Sequence, residues 1–278
     1  MQQFQPYPIY LVYSRHTQEA ANRMAQEFRV QGDKHMYMWM TWTGSSKMEI
    51  VEDSAPAHQL EARGFEIRIL KELQLISTTE VGRCLLNSFK PGTKIYIIPS
   101  LVPKAVTRIA LKIVGDSVVP DPLGGGGIRI GINPEDWIGV LDSTLVHELT
   151  HAYRFSYDKM VHKPIGHADF MDAEEFYATQ VENIYRSSLG STKLYGSYPS
   201  QEGKWSSKGT IYSNFVENPL LIMALKYCLD EKDLARKLSS FPQNKPDFNP
   251  FRDYASLERM ALGKNQIQGL PAGKFMPL

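Results

Sequence analysis

The stretch Leu141-Asp-Ser-Thr-Leu-Val-His-Glu-Leu-Thr-His-Ala-Tyr-Arg-Phe155 decides how the rest of the chain is interpreted. Its apolar residues recur at helical spacing and share one face: Leu141, Leu145, Leu149 and Ala152. This pattern predicts an amphipathic helix over 141–155, and Asp142 or Ser143 can cap its start.

The same helix carries His147-Glu148-Leu149-Thr150-His151, which fits the pattern H-E-x-x-H. Residues four apart lie on one face of a helix, so His147 and His151 can point ring nitrogens at one metal ion. Glu148 is turned aside, toward the place where a metal-bound water would sit. Zinc lowers the pKa of such a water toward about 7, and a neighbouring carboxylate can then take its proton. The motif therefore predicts one Zn²⁺ on the two histidines, with Glu148 as general base.

A catalytic zinc also needs a third protein ligand. The longer pattern H-E-x-x-H-x-x-G-x-x-H is not followed, because Arg154 and Tyr157 stand where Gly and the third His would be. A second helix is predicted over 172–188, and it offers Glu174 and Glu175. Glu-x-x-Ala at Glu175 to Ala178 resembles the third-ligand helix of Glu-zincins, which favours Glu175 and keeps Glu174 as the alternative. Two further alternatives lie between the helices: His162 and His167.

Other residues are candidates for supporting roles around the metal. Asn183 follows Glu175 on the second helix and could orient a metal-bound imidazole. Tyr195 and Tyr198, in the loop after that helix, and His167 are candidate donors to the transition state. Zincins commonly bind extended peptide along an edge strand upstream of the metal helix. The strand at 128–132 is therefore predicted to be such an edge, with Ile130 as a substrate contact.

Composition narrows the class of protein. The chain has 278 residues, 42% of them hydrophobic and 22% charged, as in folded globular proteins. The net charge of +1 gives no general attraction to nucleic acid. No apolar run reaches the length of a membrane span, and Met1 to Pro8 does not resemble a secretory signal. Cys84 and Cys228 are interpreted as buried thiols. We expect synthesis in a cytoplasm without a cleaved signal peptide.

Periodicity and turn residues predict the remaining elements. Strands are expected at 7–13, 36–43, 94–99 and 128–132; helices at 18–30, 65–89 (broken near Ser77–Glu80), 218–229 and 232–238. The stretch 105–114 is ambiguous, and the tail from Phe241 is expected to be only partly ordered. The predicted fold is α+β and zincin-like, with a small mixed or antiparallel sheet packed on the helix at 141–155. Three regions are expected: 1–60 as an N-terminal α/β extension, 61–215 as the catalytic domain and 216–278 as a helical C-terminal extension.

Three segments together resemble the NleD-like bacterial effector peptidases. They are Thr78 to Asn87 with the strand Lys94 to Ile98, Val146 to Ala152, and Glu174 to Ala178 with Asn183 to Tyr185. The resemblance covers roughly residues 62–190. It implies a Glu-zincin fold, one zinc on His147, His151 and a glutamate at 174 or 175, and endopeptidase activity with Glu148 as base.

The resemblance also implies a bacterial effector or toxin, carried by a specialised secretion system into another cell, where it would cut a protein. The regions outside the resemblance could be a delivery segment, a specificity module, or the surface that meets a cognate immunity or chaperone protein. Three other interpretations stay open. The chain could be a zinc hydrolase of non-protein amides such as cell-wall peptides, a non-catalytic zinc protein closed by His162 or His167, or an interaction module with an accidental motif.

Overall fold

The computed structural model describes these residues: 2–11, 56–99, 106–109, 111–114, 117–120, 128–132, 140–160, 164–165, 170, 172–196, 205–215, 220–230, 232–242 and 246–263. The helix expected at 18–30 and the strand expected at 36–43 lie outside them. The chain forms two compact units, Met1–Met160 and Val161–Leu278. The three regions expected from the sequence, 1–60, 61–215 and 216–278, stay a prediction.

The first unit is built on a five-stranded mixed sheet. Its strands are β1 (Gln2–Phe4), β2 (Ile9–Leu11), β3 (Ile95–Pro99), β4 (Val106–Ile109) and β7 (Ile128–Ile132), in the spatial order β1-β2-β3-β7-β4. Strands β2, β3 and β7 run parallel, and β1 and β4 are antiparallel to their neighbours. A separate hairpin joins β5 (Leu111–Val114) and β6 (Ser117–Pro120). The expected combination of helices with a small mixed sheet is confirmed.

Strand β7 lies inside the sheet and not at its edge. Ile130 is opposite Ile97 of β3 on one side and opposite Thr107 of β4 on the other. The expectation that 128–132 forms an edge open to a peptide is therefore wrong, because both backbone sides of the strand are paired. The side chain of Ile130 is also fully buried, so its predicted contact with substrate is not supported. The covering strand β4 comes from the stretch at 105–114, which the sequence left ambiguous.

Two consecutive helices, α1 (Pro56–Thr78) and α2 (Glu80–Leu86), meet at a sharp break. Thr79 is the N-cap of α2, and its hydroxyl accepts a hydrogen bond from the backbone N–H of Gly82 at 2.9 Å. A Cβ on Gly82 would lie 2.0 Å from the carbonyl oxygen of Ile76. Glycine is required here because the end of α1 crosses so close to the start of α2, and the break predicted near Ser77–Glu80 is confirmed.

Helix α3 (Leu141–Ser156) packs against the strands β4 and β7 and against the helices α1 and α2. Leu145 and Leu149 are fully buried, as the apolar stripe predicts. The N-cap is Val140, without a side-chain cap; instead the hydroxyls of Ser143 and Thr144 donate to the Val140 carbonyl. The helix therefore starts before the caps expected at Asp142 or Ser143.

The second unit is mainly helical. It contains α4 (Ala173–Ser188), α5 (Lys208–Phe215), α6 (Leu220–Leu229), α7 (Leu234–Ser239) and α8 (Pro250–Gly263), with the short antiparallel pair β8 (Leu194–Tyr195) and β9 (Trp205–Ser206). Helix α8 falls in the tail that was expected to be only partly ordered, and its Phe251 and Leu257 are buried. None of the helices in the described residues has the length and apolar character needed to cross a bilayer.

Candidate metal centre

His147 and His151 face each other across one turn of α3. Their Nε2 atoms lie 3.1 Å apart, and the ring planes are inclined at 77° with centroids 4.8 Å apart. The two side chains are only 5% and 6% exposed. The helical spacing predicted from the sequence thus brings two imidazole nitrogens close together in a largely dehydrated place. Water would compete little with the two nitrogens for an ion that they share.

The C-terminal end of α3 is fixed just beyond His151. Arg154, which is 3% exposed, donates from a guanidinium nitrogen to the carbonyl of Lys159 at 2.7 Å. Asp158 adopts a positive φ of 56°, which turns the chain back toward that guanidinium. At the position where the longer pattern H-E-x-x-H-x-x-G-x-x-H has glycine, this chain therefore has an arginine that closes the helix end.

Glu148 lies on the same helix, next to His147, and is 6% exposed. One residue corresponds to a rotation of about 100°, so its carboxylate is turned to the side of the histidine pair. A glutamate this deeply buried has given up most of its hydration, which is typical of carboxylates that bind a partner or act on one.

Helix α4 begins with a strong cap directly before the predicted third ligand. The carboxylate of Asp172 accepts hydrogen bonds from the backbone N–H groups of Glu174 and Glu175, both at 2.9 Å. An aspartate at this position satisfies two N–H groups that have no partner within the helix. The cap fixes the backbone of Glu175 itself, so Asp172 is a supporting residue that the site prediction missed, although Asp before Ala-Glu-Glu is a recognisable helix start.

One carboxylate oxygen of Glu175 and one ring nitrogen from each of His147 and His151 all lie within 4.8 Å of one another. Glu175 is half-buried, whereas Glu174 is fully buried and does not belong to this group. The structure therefore brings together the favoured ligand set rather than its alternative. These three residues could hold a metal ion.

The donor atoms can be compared with the needs of common metals. Zinc binds imidazole nitrogen and carboxylate oxygen at about 2.0–2.2 Å with tetrahedral geometry, which separates two ligands by about 3.4 Å. The 3.1 Å between the histidine nitrogens is close to that separation. Two nitrogens and one oxygen are also the set used when a fourth position stays open. The residues fit zinc, and copper, nickel or cobalt could also use them.

Asn183 is placed differently from its predicted role. Its amide nitrogen donates to the carbonyl of Tyr195 at 2.9 Å, and its amide oxygen accepts from the N–H of Tyr195 at 2.7 Å. The amide thus binds the backbone of β8 and not an imidazole. The ring of Tyr195 lies 5.2 Å from the guanidinium of Arg186, near the last turn of α4. Asn183 therefore holds the chain that follows α4.

The remaining predicted residues, His162, His167 and Tyr198, lie outside the described residues. Comparisons with known protein families, curated proteins and solved structures found no match for this chain.

Proposed function

We propose that this protein is a zinc-dependent endopeptidase with a zincin-like catalytic unit, in which His147, His151 and Glu175 hold one zinc ion. The observation that carries the proposal is the convergence of these three side chains, whose donor atoms lie within 4.8 Å of one another. Two of the three ligands were predicted from the H-E-x-x-H pattern alone and the third from the Glu-x-x-Ala pattern. A helix with a chance histidine pair has no reason to meet a third ligand.

Bound zinc would supply a Lewis acid that polarises a carbonyl and lowers the pKa of a water that it holds. The protein's own contribution is to place Glu148 beside that position. Its carboxylate takes a proton from the attacking water and later delivers a proton to the leaving amine, as a general base and then a general acid. The burial of Glu148 and of both histidines keeps bulk water out of this step.

Strand β4 is the best candidate for the surface that binds an extended peptide. It ends the sheet order among the described residues, and helix α3 packs against both β4 and β7. An edge strand can add one more strand through backbone hydrogen bonds, with little dependence on the substrate's sequence. We infer that substrate lies along β4, the position that the sequence had assigned to 128–132.

The biological setting is proposed from the sequence resemblance. The segments that resemble NleD-like effector peptidases are the helix with Gly82 and Arg83 and the strand after it, the helix that carries His147 and His151, and the helix that carries Glu175. On that basis the substrate is a protein of a target cell, reached through a specialised secretion system. A cognate immunity or chaperone protein is a natural partner in such a setting.

Metal analysis and cleavage assays test the proposal. The purified full chain should bind one equivalent of zinc, and it should cleave proteins in target-cell lysate, with new N-termini identified by sequencing. We expect Glu148→Ala to retain zinc and lose at least ~100-fold in rate, in line with usual general-base contributions. His151→Ala should lose both zinc binding and cleavage activity. A wild-type protein without tightly bound metal, or a Glu148→Ala variant that cleaves at the wild-type rate, would contradict the proposal.

A panel of peptidoglycan fragments, run beside the lysate, separates proteolysis from hydrolysis of cell-wall amides. Cleavage of the fragments together with intact lysate proteins would favour the cell-wall hydrolase. A protein that binds one equivalent of zinc but cleaves nothing in either assay would favour the interpretation that the zinc has a structural role only.

A further inference from the structure

The first two turns of α4 are held by contacts with helices that follow it in the second unit. We call this cluster the tyrosine clamp; it consists of Tyr177 on α4 itself, Tyr227 on α6, and Asp233 and Ala235 at the start of α7. We propose that the tyrosine clamp sets the position of Glu175 and thereby the affinity of the metal centre. The inference rests on the proposed function, because it treats Glu175 as a zinc ligand.

Tyr177 is the centre of the clamp. Its side chain is fully buried, and its hydroxyl donates to the carboxylate of Asp233 while accepting from the backbone N–H of Ala235 at 3.0 Å. Asp233 is the N-cap of α7 and accepts from the same N–H at 2.9 Å. One phenol therefore ties α4 to the start of another helix through a closed set of three hydrogen bonds, in a place where a lost bond would not be replaced by water.

Tyr227 adds a second attachment from α6. Its hydroxyl donates to the carbonyl of Ala173 at 3.0 Å, and its ring packs edge-on against Tyr177 with centroids 4.5 Å apart. Phe251 of α8 contacts Tyr177 as well, at 5.7 Å between ring centroids. The clamp thus touches α4 two residues before Glu175 and two residues after it.

The geometry of a helix explains why the tyrosine clamp would affect the position of the Glu175 carboxylate. Tyr177 lies about 200° around the axis from Glu175, so the clamp holds the face opposite the carboxylate. The carboxylate lies roughly 5–6 Å from the axis, and a rotation of about 10° would move it by about 1 Å. Binding sites need their first contacts held to about 0.5 Å. Tyr177 and Tyr227 are therefore positioning residues, which act on the metal through the orientation of α4.

The chain contains a matched control for this effect. Tyr212 of α5 repeats the same arrangement: its hydroxyl donates to the carboxylate of Asp253 and accepts from the backbone N–H of Asn249 at 3.0 Å. That triad joins α5 to the start of α8 and does not include α4. Removing the Tyr212 hydroxyl should therefore cost similar hydrogen bonds without releasing the helix that carries Glu175.

The experiment compares the zinc affinity of the full chain with that of Tyr177→Phe, Tyr227→Phe and Tyr212→Phe by competition with a chromophoric chelator. Unfolding of the metal-free proteins is followed in parallel. We expect Tyr177→Phe and Tyr227→Phe each to weaken zinc binding by about tenfold, the scale found when a ligand loses its support. Tyr212→Phe should weaken it by less than about twofold. Equal affinities across all variants, or an equal loss in Tyr212→Phe, would overturn the inference.

A second arm places Tyr177→Phe in a Glu175→Gln background. If the clamp acts through Glu175, the two losses are not additive, and Tyr177→Phe adds no further weakening. If the losses of zinc affinity are additive, the clamp only stabilises the fold. The inference would then be wrong, while the proposed zinc site would be unaffected. A wild-type chain without zinc affinity would overturn the proposed function and the inference together. If Tyr177→Phe does not fold, Tyr227→Phe decides the matter, because its half-buried side chain can lose one hydroxyl with less disruption.

Discussion

The Nε2 atoms of His147 and His151 lie 3.1 Å apart, one turn from each other on α3. Two ligands of a tetrahedral zinc are separated by about 3.4 Å, so the histidines need to move little to share an ion. The backbone of α3 sets this spacing, because four residues make about one turn and both side chains are held in the interior. The proposed zinc site is therefore largely preformed on the histidine side, and its affinity can be tuned at the proposed third ligand, Glu175.

The two adjacent glutamates of α4 should respond differently to the same substitution. Glu175→Gln removes a charged donor from the metal group, and we expect zinc affinity to fall at least ~10-fold. Glu174→Gln changes a fully buried carboxylate outside that group. It should leave zinc affinity near wild type and lower the free energy of unfolding by about 1–3 kcal/mol. Chelator competition and thermal unfolding measure the two effects, and the opposite pattern would make Glu174 the ligand.

Asn183 should contribute to the stability of the fold and not to zinc binding. Asn183→Leu keeps the approximate shape of the side chain but removes both hydrogen bonds to the backbone of Tyr195, which is 5% exposed. Two buried backbone groups then lose their partners, at a cost of about 2–4 kcal/mol in unfolding free energy.

The control for Asn183→Leu is Ser191→Ala, in the turn before Tyr195, which should cost less than about 1 kcal/mol. Zinc affinity of the folded Asn183→Leu variant should stay within about twofold of wild type. A much larger loss of affinity would restore the role in orienting an imidazole that the sequence suggested.

Gly82→Ala should be strongly destabilising. The added Cβ would meet the carbonyl oxygen of Ile76 at 2.0 Å, and backbone atoms cannot move aside as the end of a flexible side chain can. We expect a loss of about 3 kcal/mol and a lower melting temperature. Gly209→Ala is the matched control, because its nearest neighbour would be 4.0 Å away and alanine favours the helix. Equal melting temperatures for the two variants would show that the junction of α1 and α2 is looser than described.

Cys228 should resist alkylation in the folded protein. Burial, with a smaller contribution from Asp233, raises the pKa of its thiol from 9.0 to about 12. The unfolded chain ionises at the lower value, so stability from this group is intact below about pH 9 and is lost as pH rises toward 12. Iodoacetamide at pH 8, followed by peptide mass analysis, should modify the half-buried Cys84 before Cys228. In urea both should react, and rapid labelling of Cys228 without urea would contradict its burial.

The elements nearest the site were predictable because short-range patterns determine them. The helix expected at 141–155 is observed at Leu141–Ser156, and the strand at 128–132 has its predicted bounds. In both cases the spacing of apolar residues in the sequence is the spacing of one buried face. The approach of the His147 and His151 rings was predictable for the same reason, since one helical turn is a local distance.

What the sequence did not show depends on partners far along the chain. The edge position assigned to 128–132 was wrong because β4, its partner, comes from a stretch with no clear period. Helix α8 was not predicted, because the high content of Pro and Asn in the tail was interpreted as a sign of partial disorder. Yet Asn249 caps that helix by accepting from the N–H of Arg252, and Pro250 occupies its first position. That pairing is a recognised start signal.

The parallel pairing of β2 with β3 has a consequence for handling the protein. Ile9 lies opposite Ile95, so one side of β3 is covered only by a strand drawn from the first residues of the chain. A protein shortened to begin at Pro56 would leave that row of backbone N–H and C=O groups without partners. Open rows of this kind recruit strands from other molecules. Removal of the segment that carries Ile9–Leu11, by trimming or proteolysis, should therefore lead to self-association before it leads to unfolding.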